Sequence, residues 1–341
     1  MKIVDKKINF IINNPKVKSK FIFSTLKELN LNCNFLTQNF YLDSHNYFPL
    51  TEDFYSFAEL FRWGDNLKYS NFYSENFNKK FSKNLKEFKN ISNVIVLGSS
   101  SFDNYYRNMM TFLPRIFFIK EKKIKLAIHR NSSNKFRNFI RKICHLLNIK
   151  IQFVFLDDGF YKFTNSQIPQ FLKKTDSLTI INSLKRNNNS KKEKIYVRRL
   201  NCNYRNLINE SDIIEKLKII GFRIVDLNNF DIPEQIKLFS NAKIIVSPTG
   251  SALMNIAFCS PGTKVFEISP KYKFEYESEL KNRYEFISKF LKLNYMRIEA
   301  DSIDAEKMNN KIKQKINPKV LFESNYYKNL ILKLENINNI S

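Results

Sequence analysis

The residues with the most chemical promise stand together in Ser247-Pro248-Thr249-Gly250-Ser251-Ala252-Leu253-Met254-Asn255. This stretch follows the apolar run Lys243-Ile244-Ile245-Val246, and a helix is predicted over Gly250 to Cys259. Small residues at a strand-to-helix turn let backbone N–H groups approach a ligand, and a helix N-terminus favours an anion. The chain has only 6 glycines, so one at this turn is informative. A plain packing turn explains the same pattern equally well. Upstream, Tyr196-Val197-Arg198-Arg199 ends a short strand, with Arg205 and Asn209-Glu210 beyond it. Arginines at a strand end can fork onto phosphate oxygens, although an arginine pair is more often surface charge. Downstream, Glu267 in Val265-Phe266-Glu267-Ile268 could accept hydrogen bonds from a ribose diol or could simply face water.

These residues need elements to position them. Ile195 to Val197, Phe222 to Val225, Lys243 to Val246 and Lys264 to Ile268 are predicted strands. Between the first two, Ile213, Ile214, Leu217 and Ile220 share a helical face that Gly221 ends. Asp231-Ile232-Pro233-Glu234 carries a helix start, with Asp as cap, Pro in the first turn and Glu three residues on. The repeating order predicts a doubly wound parallel sheet, with the candidate residues at the carboxyl ends of its strands. Earlier, Val94-Ile95-Val96-Leu97, Lys125 to Ile128 and Ile151 to Phe155 read as strands, with an amphipathic helix over Phe136 to Leu147. Phe54 to Phe61 reads as helical. The expected organisation is an N-terminal lobe over 1–182, a linker over 183–193, a second lobe over 194–275 and a helical tail over 276–341.

The bulk composition narrows the class. The chain is 43% hydrophobic and 15% aromatic, far too apolar for disorder. No apolar run approaches the roughly 18–20 residues of a spanning helix, and the basic start does not read as a signal peptide. Cys33, Cys144, Cys202 and Cys259 are scattered, which argues against a zinc site or a disulfide scaffold and fits a reducing cytoplasm. The net charge of +25 suits nucleic acid, an anionic membrane face or a charged small substrate. It is spread along the chain, as a solvated surface with an AT-biased composition would also be.

Together these positions resemble glycosyltransferase family 61, whose bacterial members include capsular polysaccharide biosynthesis proteins. The resemblance runs through Tyr196-Val197-Arg198-Arg199, Arg205, Asn209-Glu210, Gly221-Phe222, Glu234-Gln235, Ala242, Gly250, Asn255, Phe258, Pro261-Gly262 and Glu267. A second part, Asn104-Tyr105-Tyr106 and Leu113-Pro114-Arg115, is similar to the family's Asn-Tyr-Tyr-His-Trp and Leu-Pro-Arg element. It implies an α/β fold of two Rossmann-like lobes of GT-B type. It also implies an inverting transfer from a nucleotide-sugar donor to a glycan or lipid-linked glycan acceptor, without metal or other cofactor. Arg198 and Arg205 with the Gly250 turn, flanked by Thr249 and Ser251, would hold the diphosphate. Glu267 would bind the ribose and Asn255 would brace the loop. Asn104, Tyr105, Arg107 and Arg115 would lie on the acceptor side.

The chain departs from the family pattern where two histidines are expected: Arg107 and Thr249 stand there instead. The three histidines, His45, His129 and His145, fall on no family position. A carboxylate is therefore expected to act as base, Asp103 first, then Glu210, then Asp157-Asp158-Gly159. The alternatives are a non-catalytic scaffold of polysaccharide assembly and a basic nucleic-acid-binding protein. Specific nucleic-acid recognition is not expected, because no recognisable module is present. The expected location is the cytoplasm, with room for peripheral contact at the inner membrane face.

Overall fold

The computed structural model describes residues 31–52, 60, 88–98, 102–185, 192–200, 205–270, 282–303 and 329–340. The chain divides into two compact units, Met1–Leu184 and Lys185–Ser341. Both are mixed α/β. Most of the helix expected over Phe54 to Phe61, and most of the linker, lie outside the described residues.

The first unit holds a seven-stranded sheet. Its parallel part is the expected one: β4 (Ile95–Val96), β5 (Lys123–His129) and β6 (Lys150–Leu156) pair side by side. Helix α3 (Asn134–Leu146) connects β5 to β6, its Ser133 cap accepting the Phe136 N–H at 3.2 Å. It buries Phe136, Phe139, Ile140 and Ile143 along one stripe, and a later helix, α4 (Lys174–Asn182), buries Leu178, Ile180 and Ile181. Before it, α1 (Tyr105–Arg107) runs through a π turn (Asn108–Phe112) into α2 (Leu113–Ile116). Sequence periodicity does not reveal the antiparallel addition. Strand β1 (Phe35–Asp43) pairs with β2 (Phe48–Thr51) and with β7 (Phe160–Pro169), and β7 also pairs in parallel with β3 (Lys89–Ser92). Strand β6 is a sheet edge, where Arg137 and Arg141 lie over the rings of Phe155 and Phe153.

The second unit holds a six-stranded sheet in the order β13-β12-β11-β10-β8-β9. Its strands are β8 (Glu193–Val197), β9 (Arg223–Val225), β10 (Ala242–Pro248), β11 (Lys264–Pro270), β12 (Asn294–Ile303) and β13 (Asn329–Ile331). All but β13 run parallel. This is the doubly wound order, with its switch point between β8 and β10. Helix α5 (Glu210–Ile219) packs Ile213 and Leu217 against Tyr196, Val246, Phe266 and Ile268 in one core. Gly221 follows that helix at φ 83, the left-handed position that glycine fills without strain. Helix α6 (Ile232–Ser240) opens with the expected capping box: Asp231 takes the Glu234 N–H at 2.9 Å, and Glu234 takes the Asp231 N–H at 2.7 Å.

Two expectations need correction. The segment expected as a helical tail instead contains one described α-helix, α7 (Arg283–Phe290), and adds β12 and β13 to the sheet. The expected helix after Gly250 is a 3₁₀ segment, Ser251–Phe258. The Asn255 side chain donates to the Ala252 carbonyl at 3.1 Å, a local bond of the kind that competes with the α-helical ladder.

Candidate active site

Strand alternation decides what each arginine after β8 can do. Tyr196 and Arg198 face α5, where both meet Glu210. The Tyr196 hydroxyl donates to Glu210 Oε1 at 2.9 Å, and Arg198 Nη2 donates to Oε2 at 3.1 Å. Arg198 and Glu210 therefore close on each other. Arg199 turns to the opposite face and lies across Gly250, where a Cβ would run into its guanidinium. Gly250 has an extended backbone, so close approach, and not a special φ, calls for glycine here. The Tyr284 hydroxyl of α7 fixes the Gly250 carbonyl at 2.5 Å. The sequence offered Arg199 only as one of the pair with Arg198, to which the diphosphate was assigned, yet the period of two from Ile195 to Arg199 separates their faces.

On the same face, Ser247, Glu267 and Arg297 stand in register across β10, β11 and β12. Glu267 is 1% exposed and accepts a short hydrogen bond from the Tyr295 hydroxyl. Among the described residues its Oε1 has no well-directed hydrogen bond, the Thr249 hydroxyl standing beside it. Burial pushes the Glu267 carboxyl above its ordinary range; Thr249, Tyr295, Arg297 and Arg205 offset this only in part. Arg205 is buried with left-handed backbone, φ 57, which costs a bulky residue about 1 kcal/mol or more. Asn255 is wholly buried and donates to Gln235 Oε1 at 3.1 Å, tying the 3₁₀ segment to α6. Thr249, Gly250, Arg205 and Glu267 are thus assembled near the carboxyl ends of β10 and β11, with half-buried Ser251 opening the 3₁₀ segment.

In the first unit, Asn104 caps α1 by accepting the Arg107 N–H at 3.1 Å, and Tyr105 and Arg107 are half-buried in that helix. Asp103 is exposed in the preceding turn. Arg115, expected on the acceptor side, is instead 0% exposed. Its guanidinium donates to the carbonyls of Thr111, Gly98 and Pro169 and lies 4.1 Å from the Phe171 ring centre. It pins the end of β4, the end of β7 and α2 together from inside.

Sequence reasoning passed over the histidines, and the structure brings two of them together. His129 ends β5, and Asp157-Asp158-Gly159 follows β6, so they meet at the carboxyl ends of neighbouring strands. His129 Nε2 lies 2.9 Å from Asp158 Oδ1, and His45 Nδ1, from the turn after β1, lies 3.0 Å from the same oxygen. Phe102 stacks on the His129 ring at 3.4 Å. Partial burial works against ionisation of Asp158, but the hydrogen bonds from His45 and His129 prevail and hold its carboxyl below the usual range. The position of His129 at a strand end and the Asp157-Asp158-Gly159 run each hinted at a part of this cluster, and nothing in the sequence joined them.

A family model described as Glycosyltransferase 61 matches residues 103–266. Over that stretch the chain is similar to glycosyltransferase family 61. The stretch begins at Asp103 and ends one residue before Glu267, so it spans parts of both units. No curated protein matches the chain. Among the described residues, no helix is long and apolar enough to cross a membrane.

Proposed function

We propose that the chain is an inverting glycosyltransferase of GT-B type, working without a metal in the making of a bacterial capsular or other surface polysaccharide. The observation that carries this reading is Arg199 laid over Gly250 at the β8–β10 switch point, inside the family-matched stretch. A switch point is where doubly wound sheets take nucleotides. There a guanidinium, a buried arginine at Arg205 and the backbone of a small-residue turn suit a diphosphate. Arg198 joins them only by giving up Glu210. The Glu267 Oε1, buried and short of a donor, suits a ribose hydroxyl. Asn255 supports the turn from behind.

The acceptor is a glycan, free or lipid-linked, and the basic surface favours polyanionic acceptors or an anionic membrane face over a specific nucleic-acid sequence. Its hydroxyl is deprotonated at the carboxyl ends of the first unit's strands, where Asp103 follows Phe102. Calorimetry of the full chain against UDP-, GDP- and CDP-linked sugars tests the reading. One of these sugars is expected to bind and to be consumed with chelator present. Binding of none, or turnover that disappears with chelator and returns with Mg²⁺, would overturn it.

A further inference from the structure

The His45–Asp158–His129 cluster has so far no part in the chemistry, and its hydrogen bonds assign its protons. His129 Nδ1 accepts the Asn131 backbone N–H at 3.2 Å. In the neutral ring the proton therefore sits on Nε2 and is donated to Asp158 Oδ1. The same oxygen is within 3.0 Å of His45 Nδ1, which donates its proton there. Among the described residues nothing hydrogen-bonds His45 Nε2, which keeps a lone pair open, and the side chain is 57% exposed. His129, at 5%, is shut in beneath Phe102.

The turn that carries His45 is held on both sides. Asp43 accepts the His45 N–H at 3.0 Å and the Asn46 side-chain amide at 2.6 Å. The Ser44 hydroxyl donates to the Asp157 carbonyl at 2.6 Å, and the Ser44 N–H to the Gly159 carbonyl at 3.0 Å. A carboxylate that takes Nδ1–H and leaves Nε2 open is the arrangement that keeps an imidazole oriented as a base.

We propose that His45 is the general base of the transfer, with Asp158 and His129 as positioning residues; this rests on the transferase reading above. In the step, the acceptor hydroxyl gives its proton to His45 Nε2 as its oxygen bonds the anomeric carbon. The bond from that carbon to the phosphate oxygen breaks, and its electron pair leaves with the nucleoside diphosphate. His45 lies outside the family-matched stretch, so this base takes over work that no family-position histidine of this chain can do.

The test uses the full chain and nucleotide release from UDP-, GDP- and CDP-linked sugars, with water as the acceptor. His45→Ala is expected to lower kcat by about 10²–10⁴-fold with donor affinity unchanged, and added imidazole is expected to restore part of the loss. Two-bond ¹H–¹⁵N spectra should show His45 protonated at Nδ1, and Asp158→Asn should disturb that tautomer and lower kcat. A His45 proton on Nε2, turnover of His45→Ala within about twofold of the parent, or no response to imidazole overturns the base. An Asp103→Asn loss larger than that of His45→Ala also overturns it, in favour of Asp103. Release from none of the sugars, with none of them bound, removes the transferase reading and the base together.

Discussion

At the carboxyl ends of the first unit's strands, the polar groups come from three turns remote in sequence, and two of the key side chains stand more than half open to solvent. At those of the second unit they come from adjacent strands and are buried: Glu267 is 1% exposed and Thr249 2%. The first arrangement suits groups that exchange protons with an arriving molecule. The second suits groups that must hold charge and orientation in a drier setting, where each unmade hydrogen bond is costly. The difference separates kinetic effects from binding effects, and substitutions in each region should divide along that line.

After the kcat loss expected at His45, the largest effect belongs to Arg199. Arg199→Ala should weaken nucleotide-sugar binding by about 1.5–3 kcal/mol, the range for a charge-assisted hydrogen bond. Calorimetry checks this, and unchanged affinity would place the donor elsewhere. Gly250→Ala comes next. A methyl group there meets the flexible end of Arg199 and not the backbone, so the protein should fold normally while donor binding falls as Arg199 is displaced. A melting temperature far below the parent's would show instead that the turn itself cannot take a side chain.

Glu267→Gln sharpens the comparison through pH. A carboxyl with a raised folded value binds its proton more tightly in the folded chain. Its contribution to folding is full below the unfolded value and is lost as pH rises through the folded one. The glutamine variant should therefore melt no lower than the parent at neutral pH, and the advantage should vanish in acid. Donor affinity should fall at the same time, because the ribose loses a charged acceptor. The smallest effect belongs to Arg198→Ala. The Arg198–Glu210 pair is partly exposed and worth about 0–1 kcal/mol at most. Donor binding should change less than in Arg199→Ala; a greater loss would reverse their roles.

The sequence disclosed the second unit more fully because its signals are local. A strand, a small-residue turn and a capped helix each lie within about ten residues, so periodicity and cap chemistry find them, as at Asp231–Glu234 and Gly221. The 3₁₀ character after Gly250 was hidden because it turns on one side-chain bond from Asn255. Strands β12 and β13 were missed because Tyr295 to Ala300 mixes polar with apolar residues at a sheet margin. Of the first unit's cluster the sequence showed only separate pieces, the Asp157-Asp158-Gly159 run and His129 at a strand end. Its residues lie at positions 45, 129 and 158, and only the pairing of β1 with β7 and β5 with β6 brings them together. Arg115 misled for a related reason. An arginine suggests surface or ligand, and nothing local shows that three carbonyls and a phenylalanine ring await it inside.

One feature of the first unit bears on how the protein survives at high concentration. Among the described residues β6 ends the sheet without a further partner, the kind of backbone row on which a second chain can grow. Its Phe153 and Phe155 would make that edge adhesive, but Arg141 and Arg137 lie over their rings and put like charge on every copy. Some of the chain's surplus of positive charge thus acts as a gatekeeper against self-assembly. Concentrated salt, which screens that repulsion without removing the rings, should be the condition under which light scattering first reports association.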